Sequence, residues 1–196
     1  MTAFGAADVT GAVLAGGAGS RLDGRDKGLE LLGGRPLVAH VVTALRAQVG
    51  RVVLCVNRNA DVYAEYGTIV PDVEAGFRGP LAGIASALAA CATPWLLTLP
   101  VDCPTPPAQL AARLYANRRG AAAAVAHDGT RREPLFALYA ATLAASGRAA
   151  LTRDLAVWRW QDEIGAVEVD FADCAAAFGN LNTATDFRAW ENARHG

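Results

Sequence analysis

Leu14-Ala15-Gly16-Gly17-Ala18-Gly19-Ser20-Arg21-Leu22, running on to Asp26-Lys27-Gly28, is where residue types and spacing first suggest chemistry. Glycines let backbone N–H groups come close to a ligand. Arg21 and Lys27 add two mobile cations. That combination suits a polyphosphate. It is not the dinucleotide fingerprint, because Leu22 stands where the third glycine belongs, and it is not a Walker A loop, because Lys27 is followed by Gly28-Leu29. Read by itself, the stretch is either a phosphate loop of another kind or a plain strand–helix turn.

Other polar groups punctuate the chain. Asp102 follows the apolar run 95–99, in Pro100-Val101-Asp102-Cys103-Pro104. It could cap the next helix, pair with a base, or hold a hard divalent cation, which uses one or two carboxylates plus substrate phosphates. Asp72, after Pro71, is either a turn former or an acceptor for the paired N–H donors of a guanine edge. Gly79-Pro80-Leu81-Ala82-Gly83 opens a helix and is either an anion or purine site or a close-packing device. Asn180, Asn182 and Thr183 are either turn formers or support for a metal or phosphate. His40, His127 and His195 are scattered, and no G-x-S-x-G or H-E-x-x-H motif occurs.

The elements that must position these residues alternate between strand and helix patterns, which predicts an α/β fold. Strands are expected at 9–14, 51–56, 68–70, 95–99, 121–126, 135–139 and 167–171. Helices are expected at 36–49, 81–91, 108–117 and 142–155, the last bent near Gly147, and from a Thr185 cap to residue 193. Residues 127–133 read as a polar hairpin or loop. Most candidate site residues fall just past strand ends, at the edge where open parallel sheets bind ligands. The expected architecture is a Rossmann-like three-layer αβα fold with a mostly parallel sheet. It forms one domain over 1–196, with a nucleotide-binding half at 9–105 and an acceptor-binding half at 106–196.

A net charge of −1 over 196 residues offers no global attraction for nucleic acid, so any phosphate binding must be local. Cys55, Cys91, Cys103 and Cys174 match no zinc or C-x-x-C pattern and read as reduced, mostly buried thiols. Residues 1–10 lack a secretory pattern, and no apolar run approaches the ~20 residues of a membrane span. A soluble, cytoplasmic monomer without membrane or nucleic-acid partners is expected.

The joint set is more particular than any one motif. Leu14-Ala15-Gly16-Gly17 with Arg21, Asp26-Lys27-Gly28-Leu29, Arg35-Pro36-Leu37 with His40-Val41, Gly79 to Gly83, Pro100 to Pro104 and Asn180-Leu181-Asn182-Thr183 occur in this order. Together they resemble the molybdenum cofactor guanylyltransferases, the MobA family of nucleotidyltransferases, over about residues 11–188. The resemblance implies transfer of GMP from GTP to Mo-molybdopterin with Mg²⁺ as cofactor, releasing pyrophosphate. Transient contact with molybdoenzyme apoproteins or cofactor-insertion proteins would follow. Carried over by position, Leu14, Ala15, Gly16, Gly17, Lys27, Cys55, Asp72 and Asp102 would bind GTP. Asp102 would hold the metal, Arg21, Lys27 and Asp102 would carry catalysis, and Asn180 and Asn182 would support pterin or metal. Cys55 departs from the family's usual asparagine, and a thiol cannot replace an amide's paired donor and acceptor. Two other readings stay open: transfer of another nucleotide, to the same cofactor or to a sugar phosphate, and a non-catalytic nucleotide- or pterin-binding adaptor.

Overall fold

In the computed structural model, residues 4–16, 26–72 and 79–195 are described. The strands are β1 (Val9–Leu14), β2 (Leu31–Leu32), β3 (Arg35–Pro36), β4 (Arg51–Cys55), β5 (Thr68–Val70), β6 (Trp95–Pro100), β7 (Ala123–His127), β8 (Arg132–Ala140) and β9 (Val167–Asp170). The helices are α1 (Leu37–Arg46), α2 (Ala60–Tyr63), α3 (Pro80–Ala89), α4 (Leu110–Asn117), α5 (Ala144–Thr152), α6 (Val157–Glu163) and α7 (Ala184–His195). Short 3₁₀ turns add Lys27–Leu29 and Ala172–Phe178.

Seven strands form one sheet in the order β5-β4-β1-β6-β8-β7-β9, while β2 and β3 form a separate hairpin. β8 is antiparallel to β6 and β7, and the remaining pairings are parallel. The expected mostly parallel sheet is therefore present. Its central strands are apolar on both faces, as burial under two helix layers requires. Successive residues of β1 show this: Val9 and Val13 join the core under α1 and α4, while Ala12 and Leu14 join the core under α3, α5 and α6.

From β1 the chain moves outward through β4 to β5, then returns to place β6 on the other side of β1. That reversal opens a crevice at the C-terminal ends of β1 and β6, the usual ligand position in such sheets. Gly16, Asn57, Asp72 and Asp102 all lie just past C-terminal strand ends, of β1, β4, β5 and β6 respectively.

Several expected boundaries change. The helix expected at 142–155 is a 3₁₀ turn followed by α5, which passes through Gly147 unbroken. Gly147 instead allows close approach, since a Cβ there would stand 3.3 Å from Leu88 Cδ1. The chain reverses at Asp154, with φ of +53°, into α6, which the sequence reading had not separated. Thr185 lies inside α7 rather than capping it. Thr183 Oγ1 accepts from the Asp186 N–H, and the Asp186 carboxylate accepts from the N–H groups of Asn182 and Thr183. This reciprocal box needs an acid three residues after the cap, which Thr183 has. All four cysteines are free, but only Cys55 and Cys103 are buried.

Candidate functional site

Lys27 is the hub of the crevice. Its Nζ donates to Asp102 Oδ2 at 2.7 Å and to Asn182 Oδ1 at 2.6 Å. Both carboxylate and ammonium are about one-fifth exposed. An ammonium has three donors, so among the described residues one remains for an incoming oxygen. Asn182 is itself held on two sides. The Leu181 N–H donates to the Asp102 carbonyl at 2.9 Å, and Asp186 takes the Asn182 N–H. Those backbone donors, helped by Thr183 and the Lys27 charge, hold the Asp186 carboxyl below its ordinary value.

Asp102 Oδ1 is buried and has no hydrogen-bond partner among the described residues. A buried carboxylate oxygen without a donor is costly, and a hard cation would remove that cost. Magnesium suits a single protein carboxylate completed by phosphate oxygens and water. Among the described residues no three His, Cys, Asp or Glu side chains gather as a metal cage. Asp102 therefore fits a metal that arrives with, and is completed by, a phosphorylated substrate.

On the other wall, Asn57 Nδ2 donates to Asp72 Oδ2 at 2.7 Å and to the Gly16 carbonyl at 3.4 Å. Cys55, carried over as a ligand contact, is placed elsewhere. It is 1% exposed, and its Sγ donates to the Gly83 carbonyl at 3.3 Å. Burial, with the Asp72 charge second, pushes its pKa up to about 12, so it stays a neutral thiol. The group that reaches the crevice from this strand is Asn57, two residues on, where β4 has ended. Gly83 is a packing glycine: a Cβ on it would stand 3.2 Å from Leu14 Cδ2 and 3.3 Å from Cys55 Cβ.

The backbone of the glycine stretch is partly committed to the fold. Ala15 N–H donates to the Cys55 carbonyl, and the Leu14 carbonyl accepts from Val101. Gly17 and Arg21 lie outside the described residues. Asn180 is exposed and makes no side-chain hydrogen bond among the described residues, so it does not join Lys27 as Asn182 does. His40 binds the Leu32 carbonyl and packs edge-on to Trp190, a structural role.

A sequence family described as the MobA-like NTP transferase domain matches residues 11–167. The chain belongs to this family. It is 39% identical over 96% of its length to a molybdenum cofactor guanylyltransferase of Yersinia pestis (strain Pestoides F), covering 98% of that protein. A protein of the same name from Yersinia pseudotuberculosis serotype O:1b (strain IP 31758) is 38% identical over the same share. Among solved structures, molybdopterin-guanine dinucleotide biosynthesis protein A of Archaeoglobus fulgidus superposes with a TM-score of 0.77 at 21% identity, covering 95% of this chain and 98% of that one. The 4-diphosphocytidyl-2C-methyl-D-erythritol synthase of Anaerococcus prevotii shares the fold with a TM-score of 0.71 at 12% identity, over 97% of this chain and 100% of that one. A nucleotidyltransferase fold and family membership are thus established, and Lys27, Asp72 and Asp102 lie around the crevice of that fold.

Sequence reasoning missed Asp26 as a hub. Its carboxylate takes Tyr63 Oη at 2.6 Å, Asn59 Nδ2 at 2.9 Å and Gly28 N at 3.3 Å. The signal available was Gly28 directly after Lys27: a Cβ there would collide with the Tyr63 hydroxyl and stand 3.0 Å from Val101 Cγ2.

Proposed function

We propose that this MobA-like nucleotidyltransferase transfers GMP from GTP to Mo-molybdopterin, forming the guanine dinucleotide cofactor and pyrophosphate. The observation that carries the reading is Lys27 held between Asp102 and Asn182, beside Asp102 Oδ1, which has no partner among the described residues. The names of the 38–39% identical relatives support the same substrates.

A terminal phosphate of the pterin attacks the GTP α-phosphorus, and pyrophosphate leaves. The attacking phosphate is already ionised near neutral pH, so no general base is needed. What the protein must supply is positioning and charge neutralisation. Lys27 offers its third N–H to the departing phosphates, and Arg21 is assigned the same task. Asp102 is the residue that would hold Mg²⁺, whose charge when bound offsets that of the phosphate oxygens. Asp72, braced by Asn57, is assigned the guanine N1–H and N2–H₂ donors, leaving Oδ1 for one of them. The half 9–105 then holds the nucleotide and the half 106–196 the acceptor, with the Lys27–Asn182 bond joining the two. No helix of the described residues is long and apolar enough to cross a membrane.

The test is pyrophosphate release from GTP, Mg²⁺ and Mo-molybdopterin, repeated with CTP, ATP and UTP. GTP-dependent release is expected. Preference for CTP would move the reading to a cytidylyltransferase. GTP binding without release would favour a binding adaptor.

A further inference from the structure

The side chain of Lys27 is fixed by Asp102 and Asn182, but its backbone is fixed from the opposite direction. Asp26, with a side chain 8% exposed, precedes it, and Gly28 follows it. Asp26 Oδ1 accepts from Tyr63 Oη and the Gly28 N–H, and Oδ2 accepts from Asn59 Nδ2 with Arg58 Nε 3.5 Å away. Two of these donors, Tyr63 Oη and Asn59 Nδ2, and the Arg58 charge come from residues 58–63, at the connection from β4 into α2 and in α2 itself. Tyr63 is fully buried, and its hydroxyl lies where a Cβ of residue 28 would be. Asn59 takes a left-handed φ of +52° at the start of α2, a conformation that Asn tolerates better than most residues. Capping a one-turn 3₁₀ segment needs one acceptor. Here a buried carboxylate gathers a phenol, an amide, a guanidinium and a backbone N–H around a single lysine.

We propose that Tyr63, acting through Asp26, is a positioning residue for Lys27, and that Asn59 shares this role. A lysine side chain has many rotamers to lose, so its charge is useful at one point only if its Cα is fixed. Anchoring residues 26 and 28 to α2 fixes that Cα. With Lys27 as the phosphate ligand of the proposed reading, loss of the anchor is felt at the nucleotide through Lys27. This inference rests on the reading of Lys27 as a GTP phosphate ligand.

A double-mutant cycle isolates it. GTP affinity in the presence of Mg²⁺ is measured by calorimetry for the native protein, Tyr63→Phe, Lys27→Ala and the double variant, with melting temperatures recorded alongside. Tyr63→Phe should weaken GTP about tenfold in the native background, as expected for losing a hydrogen bond to a charged group. With Lys27→Ala already present, it should cost less than about twofold. Asn59→Gly, which keeps the left-handed turn and removes the amide, should show the same pattern at smaller size. It serves in place of Tyr63→Phe if that variant does not fold. An equal loss in both backgrounds means a merely structural role and overturns the inference, as does no loss in the native background. A native protein that binds no GTP overturns both this inference and the proposed function, whereas native binding with an additive cycle overturns the inference alone.

Discussion

Around β1 and β6, contacts run from Tyr63 and Asn59 to Asp26, along the chain to Lys27, and on to Asn182 and Asp102, ending at a buried oxygen with no partner among the described residues. Further along the same sheet edge, the charges of β8, β9 and α6 close on one another. Arg132 binds Asp162 and Glu168, and Arg131 binds Glu133 at 2.7 Å. Both regions are rich in charge, and charge density alone would not separate them. The difference lies in how the networks terminate. A closed network has met its own electrostatic needs, while an open one leaves a desolvated group that something else must satisfy. The open end is therefore the better guide to the ligand.

Asp102→Asn attacks that open end and should have the largest effect. The amide can still accept from Lys27 Nζ, and it removes the buried charge, so the melting temperature should change little. Pyrophosphate release should fall by about 10²–10³, the usual cost of losing one preorganised electrostatic group. Near-native turnover would show that the orphan oxygen marks no charge-neutralising role.

Gly28→Ala tests the anchored side of the same network. Its methyl would meet the Tyr63 hydroxyl, which Asp26 holds in place. Overpacking of this kind costs about 1–3 kcal/mol, read as a fall of several degrees in melting temperature. Adding Tyr63→Phe removes the obstructing oxygen and should return part of the loss. No recovery would mean that the clash is with Val101 instead.

Most of this edge was legible in the sequence because polar residues after long apolar runs stand out. Asp102 stood out that way, after the run 95–99, whereas Lys27 was read from the glycine-rich stretch, and Asp72 and Asn182 read equally well as turn formers. The strands β1, β4 and β6 and the helix α3 were legible for the same reason. What was not legible is short. The hairpin β2–β3 has two residues per strand and α2 a single turn, too few for any periodicity. Depth at Cys55 was not legible either: Cys55 and Asn57 share a strand face, but pairing to β1 and β5 stops at Cys55. Only tertiary structure decides that the thiol seals the wall while the amide leaves it. The turn at Asp154 carries no glycine or proline, so the helix expected at 142–155 overruns α5 and α6 is not seen.

The buried thiols sharpen the comparison by separating what seals the crevice from what faces it. Cys55 and Cys103 are both raised from 9.0 to about 12, chiefly by burial. With the folded value above the unfolded one, their contribution to stability is full below pH 9 and is lost as pH rises toward 12. Between pH 9 and 10 each thiol should cost about 1 kcal/mol of stability. Cys55→Ala should therefore lower stability at pH 7 yet flatten the alkaline fall, seen in denaturant midpoints at pH 8 to 10. GTP affinity should hold within about threefold if Asn57 is the contact. A Cys55→Ala variant with an unchanged alkaline slope would place the thiol in solvent.

Arg132→Gln probes the closed network and should have the smallest effect. Its guanidinium reaches Asp162 at 2.6 Å and Glu168 at 2.7 Å, and both acids are about half exposed. Once the arginine is gone, water can hydrate them, so no desolvated charge is stranded. Pairs whose carboxylates face water contribute about 0–1 kcal/mol, and the melting temperature should move by only a degree or two. Turnover should stay within about twofold, because nothing in this network is left unmatched for a substrate to complete. A tenfold loss of turnover with unchanged stability would mean that a self-neutralised arginine at the sheet edge takes part in acceptor binding. The way a charge network ends would then no longer distinguish the site from its surroundings.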